Sequence, residues 1–232
     1  MTRIVDARRI ASKRAALWEF AHHGSAYVLA STLVGAVALR RRAGRVTRGD
    51  LVALAVVAAV RPFFEWGLHR YVLHAEPVVI DGRTVDPGGS HRGHHDAPHD
   101  VAGALLGTRY ALADSTALAV VAGGLATLAV RSSWRARWQV ALTASSGSFA
   151  SLLAYEWSHL LFHTGYRPTT ERFRRLRANH QRHHHRDDGQ WFGITSDLAD
   201  RLLRTHGRDA ALSASRESIG STAAMTVGTA GR

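Results

Sequence analysis

The chain has 232 residues, 46% of them hydrophobic and 21% charged, which suits one domain with a sizeable core. The absence of Cys excludes disulfides, thiolate zinc sites, iron–sulfur clusters and a cysteine nucleophile, so any metal must be held by N and O ligands. A net charge of +12, from 30 Lys+Arg against 18 Asp+Glu, suits an anionic membrane surface or an acidic protein partner; with aromatic residues at 8% and no basic run alternating with them, nucleic acid is not expected.

Residues 1–23 are polar and charged and carry no cleavable signal peptide; they read as an N-terminal cytoplasmic segment. Apolar stretches follow at 24–39, 51–60, 115–130 and 138–155. Each is shorter than the roughly 20 residues of a full span, but they are uncharged all round rather than striped. They also pair as hairpins across short Arg-bearing turns at 40–50 and 131–137. The reading is an all-α integral membrane protein with four transmembrane helices in two hairpins. The second stretch continues past Arg61-Pro62 into FFEWGL and the fourth into EWSHLLFH, so both helices carry histidines out at the same end.

Two hairpins place the N-terminus, residues 69–110 and everything from His159 onward on one side. Twelve Arg follow position 163, and five Lys+Arg lie in the first 23 residues. That bias puts this side in the cytoplasm of a bacterial cell, although the turn at 40–48 carries five Arg of its own and argues the other way. Residues 206–232 are Ser/Gly/Ala-rich without an apolar face and read as a disordered tail, leaving 24–205 as the catalytic membrane domain.

Fifteen His are far above ordinary usage, and ten fall into four groups: His69/His74 in HRYVLH, His91/His94/His95 in HRGHH, His159/His163 in HLLFH and His180/His183/His184 in HQRHH. At about 100° per residue, positions i, i+3 and i+4 share an arc of roughly 100°, so each HxxHH triplet is expected to aim three imidazoles at one point. The i, i+5 pair His69/His74 lies about 140° apart on a straight helix and requires the helix to end or bend between them. Crowded neutral imidazoles gain little from packing and repel once protonated; coordination to a cation removes that conflict. Ten ligands exceed one ion, so two ions with about five His each are expected.

FEWGLHRYVLH and YEWSHLLFH each follow a hairpin and precede an HxxHH group, as in a duplicated half. His22, His23, His99, His185 and His206 are expected outside the site. Glu156 stands i−3 from His159, but Glu65 stands i−4 from His69, so the paired ExxH pattern of soluble di-iron bundles is absent. Glu65, Glu156, Asp96, Asp100, Asp187 and Asp188 are therefore expected to accept the second ring N–H of the ligands.

The four boxes, HRGHH with DAPHD, NHQRHH and the closing FGITSDLADRLLRT resemble the membrane fatty acid hydroxylase and sterol desaturase superfamily over about residues 63–205, and most of all its fatty acid 2-hydroxylases. Within the closing segment, Gly193, Thr195, Asp200 and Thr205 carry the likeness to the acyl hydroxylase branch. The resemblance implies a histidine-rich cytoplasmic cap with two iron ions, replaceable by zinc on purification. It also implies O2 as co-substrate and hydroxylation of a long-chain fatty acyl lipid, with 2-hydroxylation favoured. With 23 residues before the first apolar stretch there is no room for a fused cytochrome, so a separate ferredoxin or cytochrome-like donor is expected. Arg174, Arg175 and Arg177 read as a solvated face or as a site for a carboxylate or CoA headgroup. Alternatives are hydroxylation or desaturation of a sphingoid base, sterol or carotenoid. A non-catalytic metal carrier is disfavoured because its ligands would lie within the spans.

Overall fold

In the computed structural model, which describes residues 5–130 and 133–207, the chain opens with a short 3-10 turn at Ala7–Arg9. Helix α1 (Lys13–His22) follows, its first turn capped by the Ser12 hydroxyl, which accepts from Ala15 N at 3.2 Å. From residue 5 the N-terminal segment is thus structured. Ala7 N donates to His99 O at 2.8 Å and Val101 N to Val5 O at 3.2 Å, strapping it to the histidine-bearing end.

All four apolar stretches form helices, each longer than its stretch: α2 (Gly24–Arg42), α3 (Arg48–Leu68), and later α6 (Thr108–Ala129) and α7 (Trp134–His163). Between the hairpins come β1 (Val78–Ile80), β2 (Arg83–Val85), α4 (Gly89–Asp96) and α5 (Val101–Ala104). The strands pair antiparallel across Asp81-Gly82, whose φ values of 49° and 74° are what a tight hairpin turn requires. This exposed hairpin and an isolated bridge between Asp6 and Asp100 are the departures from an all-α chain among the described residues. After α7 come α8 (Glu171–His185), capped by Thr170, and the short α9 (Leu198–Leu202). The expected tail lies outside the described residues from position 208.

The long helices pack through small side chains. Ala53, Val57, Leu118, Ala122, Ala126, Val140 and Ala144 form one buried cluster between α3, α6 and α7, while Leu51, Leu54, Val120, Leu125 and Leu128 on the same helices face outward. Small residues inside and large apolar residues outside is the arrangement of helices solvated by lipid. Two helical segments, Arg48–Leu73 and Val101–Ala129, are long and apolar enough to cross a membrane, with only 22% and 39% of their apolar stretches buried. Such low burial separates them from the core helices of a soluble protein.

At the end away from the histidines, Arg40 is buried. It donates to Asp50 through Nε and Nη2, both at 2.6 Å, to Thr143 Oγ1 at 3.0 Å and to Gly44 O at 2.9 Å. Asp50 also accepts from Thr47 N at 2.6 Å, capping α3. One of the five arginines in this turn is therefore internal, locking the α2–α3 connection onto α7.

Candidate metal centre

At the other end, α3 and α7 run past the apolar layer and meet α4 and α8. Alpha-helical geometry stops at His69 and a π-helical turn spans His69–Leu73, with His74 N donating to His69 O at 3.2 Å. Widening the turn brings i and i+5 to one side, which resolves the angle that a straight helix denies this pair. The expected bend thus takes the form of a π turn.

The ten histidines gather into two groups of five. His69, His74, His91, His95 and His183 form one, and His94, His159, His163, His180 and His184 the other; in each, the ring nitrogens lie within 4.8 Å of one another. The HxxHH triplets do not each converge on a single point, as spacing had suggested. His91 and His95 enter the first group and His94 the second, while His180 and His184 enter the second and His183 the first. The reason is angular: i and i+4 lie about 40° apart, whereas i+3 lies about 60° to the other side of i, so a helix laid between two centres divides its triplet. Each centre thereby takes one pair from a long helix, one i, i+4 pair from a cap helix and a single imidazole from the opposite cap helix. His95 and His184 stack across the divide with ring centroids 4.2 Å apart.

Ring orientation identifies the donor atoms. His69 Nδ1 donates to Phe192 O and His183 Nδ1 to Gln190 O, each at 2.6 Å, so their Nε2 atoms carry bare lone pairs. Yet Nε2 of His69 stands 2.9 Å from Nε2 of His91, and Nε2 of His74 stands 3.2 Å from Nε2 of His183. In the second group, Nε2 of His163 lies 3.1, 3.3 and 2.8 Å from those of His94, His159 and His180. Ring nitrogens crowded at such distances, with the lone pairs of His69 and His183 bare, are satisfied together by a cation between them. Two imidazoles on one ion at about 2.0–2.1 Å are separated by roughly 2.9 Å at right angles and 3.4 Å at the tetrahedral angle, so the observed spacing suits a shared coordination sphere. Burial holds His95 down to about 4 and His183 to about 3, and depresses His91, His94, His180 and His184 as well. Neutral imidazoles at pH 7 are the form in which histidine binds a metal.

The carboxylates do not orient the ligands as expected. Glu65 accepts from Ile194 N, from Thr195 N at 2.8 Å and from Thr195 Oγ1 at 2.5 Å. Glu156 accepts from Ser25 Oγ at 2.8 Å and Leu106 N at 3.0 Å, and Asp100 caps α5 through Ala102 N. Asp187 holds Gly189 N and Gln190 Nε2, while Asp96 and Asp188 act on the rings only through space.

For His69 and His183 main-chain carbonyls do that work instead, and Asp200 holds one of them in place, whereas Nδ1 of His94, His163, His180 and His184 meets no hydrogen-bond partner among the described residues. Asp200 accepts from Phe192 N at 3.0 Å, Gly193 N at 2.8 Å and Thr205 Oγ1 at 2.7 Å, and Thr205 Oγ1 in turn accepts from Trp66 Nε1 at 2.8 Å. A Cβ at position 193 would strike the Ser196 carbonyl, so only glycine fits there. His22, His23, His99, His185 and His206 stay outside both groups. Arg174 donates to Thr169 O and Arg177 to Thr164 O and Tyr166 O, while Arg175 meets Asp197 at 3.3 Å. These contacts fasten the α7–α8 connection and the closing segment.

Residues 54–205 match the family described as fatty acid hydroxylase. The chain belongs to the fatty acid hydroxylase family. The matched region contains both histidine groups and the closing segment. Among solved structures, the full-length Scs7p, in which only the hydroxylase domain is visible, superimposes with a TM-score of 0.58 at 17% identity, over 77% of this chain and 63% of that one. The chain thus spans less than two thirds of that structure, and the likeness shows the fold. No curated protein matches the sequence.

Proposed function

We propose that this family member is a di-iron membrane oxygenase that hydroxylates a long-chain fatty acyl lipid, with the carbon next to the acyl carbonyl as the favoured position. The observation that carries the reading is the division of ten imidazoles into two five-membered sets whose Nε2 atoms converge with no carboxylate among them. His69, His74, His91, His95 and His183 would hold one iron, and His94, His159, His163, His180 and His184 the other. Bound iron would supply O2 activation for insertion of oxygen into an unactivated C–H bond, and zinc, favoured by affinity, can replace it on purification. The protein's own part is to keep each set neutral, to fix the His69 and His183 rings through carbonyls, and to exclude water beneath the cap.

Residues 24–205 form the catalytic domain in this reading. Helices α2, α3, α6 and α7 cross the membrane as two hairpins, with α4, α5, α8 and α9 as a cytoplasmic cap. Electrons come from a separate ferredoxin or cytochrome-like protein, which the net charge of +12 suits if the donor is acidic. The test is expression in a host lacking hydroxylated acyl lipids, with a ferredoxin system supplied. Label from 18O2 should enter a hydroxylated acyl chain; formation of a C=C bond, or label only in a ring lipid, overturns the substrate assignment.

A further inference from the structure

The two long helices that carry histidines repeat one arrangement. Each has an aromatic-Glu-Trp triplet just ahead of its first histidine: Phe64-Glu65-Trp66 before His69 on α3 and Tyr155-Glu156-Trp157 before His159 on α7. Both Glu side chains are buried, and neither forms an ion pair among the described residues. Their partners are backbone amides from distant segments. Glu65 accepts from the N–H groups of Ile194 and Thr195 and from Thr195 Oγ1, and Glu156 accepts from Leu106 N at 3.0 Å and Ser25 Oγ at 2.8 Å. Both segments are irregular backbone, where no helix or sheet ladder serves these N–H groups, so the carboxylates are what satisfies them.

Two residues before each held amide stands a carbonyl that faces a histidine. Phe192, two before Ile194, accepts from His69 Nδ1 at 2.6 Å. Ala104, two before Leu106, has its carbonyl in hydrogen-bonding position to the His159 ring, and Ala104, Leu106 and His159 border the same small internal space. Nε2 of His159 stands within the second set, 3.3 Å from that of His163, so Nδ1 is the nitrogen left for the carbonyl. Glu, held amide, carbonyl two residues back and first histidine of the same helix therefore follow one order in both halves, once for each set of five.

We propose that Glu65 and Glu156 are positioning residues of the two metal sites, each holding a backbone segment whose carbonyl fixes the first histidine of its own helix with Nε2 turned to the ion. The inference rests on the two-ion reading of the histidines. A ring whose Nδ1–H is held keeps its tautomer and its angle, and losing such support costs roughly 10–100-fold in metal affinity. The halves differ in one respect. Asp200 also holds the N–H groups of Phe192 and Gly193, so Glu65 shares its task, whereas Leu106 N is held by Glu156. Selectivity by site is the consequence: Glu65 governs the set containing His69, and Glu156 the set containing His159. A Glu that served only the stability of the fold would affect both sets alike.

The test uses the full chain in nanodiscs, with ferrous iron as the probe. His180→Ala with His184→Ala removes two ligands from the second set, and His91→Ala with His95→Ala two from the first, so the tight site that remains reports on one set. Glu156→Ala should weaken iron binding roughly 10–100-fold where the second set is intact and less than about twofold where the first is; Glu65→Ala should do the reverse, by about tenfold because Asp200 remains. Glu→Gln at either position should stay within about threefold of its parent, since the amide oxygen still accepts the N–H. In the metal-free protein, amide exchange should quicken at 104–106 for Glu156→Ala and at 192–195 for Glu65→Ala. Ser25→Ala and Thr195→Val, which remove one partner from each Glu, should show the same site preference on a smaller scale and serve where an Ala variant fails to fold. Equal losses at both sets, Gln variants as weak as Ala, or unchanged exchange at the held amides overturn the proposal. Wild type that binds no iron defeats the two-ion reading and the positioning role with it, whereas two bound ions without site preference overturn the positioning role alone.

Discussion

His95 and His184 are the half-buried partners in a stacked pair that joins the two groups, and neither contributes much to packing. Substituting either by Ala should therefore empty part of one coordination sphere without expelling the protein from the membrane. Turnover should fall below detection and bound metal drop measurably by elemental analysis. His185→Ala, outside both groups, should retain metal and activity. A quite different residue tests the carbonyl scheme. Asp200 touches no imidazole, yet it fixes the strand of backbone whose Phe192 carbonyl orients His69. Asp200→Ala should weaken metal affinity by roughly 10–100-fold, the scale of lost outer-sphere support, while leaving all ten histidines in the chain. A chelator titration reads this directly; affinity equal to wild type would show that the carbonyl does not govern the ring. The sequence marked Asp200 only through the resemblance of its closing segment and showed nothing of this role. Ten ligands announce themselves by residue type, but a carbonyl acceptor has no residue type, and the Asp200 that positions it stands eight residues further along.

At the scale of elements, four uncharged apolar stretches located all four long helices. The continuations into FFEWGL and EWSHLLFH carried α3 and α7 past the apolar layer onto polar and histidine residues, as the structure has them. Spacing also gave the i, i+5 problem at His69/His74 correctly and left its solution open: a bend, a stop and a π turn satisfy the same letters. The divided triplets show a further limit. HxxHH fixes three directions on one helix, but only the neighbouring helices decide whether those directions meet one centre or two. The Arg40–Asp50 pair is an element-scale lock that sequence reading counted as topology signal. Because it is buried and saturated, removing one partner leaves an uncompensated charge. Arg40→Met should lower the unfolding free energy by about 3–5 kcal/mol, and the double change Arg40→Met with Asp50→Leu should recover much of it. Thermal unfolding in detergent, followed by helix signal, measures both; equal stabilities for single variant and wild type would deny the lock.

For the molecule as a whole, Arg40 changes the argument about which side the histidines face. The turn at 40–48 has five arginines, equal to the five Lys+Arg of the N-terminal segment, and on a raw count the first hairpin has no preferred orientation. Arg40, however, is neutralised by Asp50 and enclosed by Gly44, Arg45 and Thr143, so it offers no free charge to hold the turn in the cytoplasm. The cap carries a large arginine excess on α8 and after it, and it is bound to the N-terminal segment through Val5–Val101 and Ala7–His99. The two ends of the first hairpin are thus not independent: orienting the cap orients both hairpins. Reporter fusions after Arg45 should give a periplasmic signal, and a fusion after Gly207, beyond the Thr205 contacts that hold the closing segment, a cytoplasmic one. Restoring charge to the turn with Asp50→Asn, which frees Arg40, should weaken the periplasmic signal at Arg45. A cytoplasmic signal at Arg45 in the wild type would place the histidine groups on the outer face and require electrons to be delivered there.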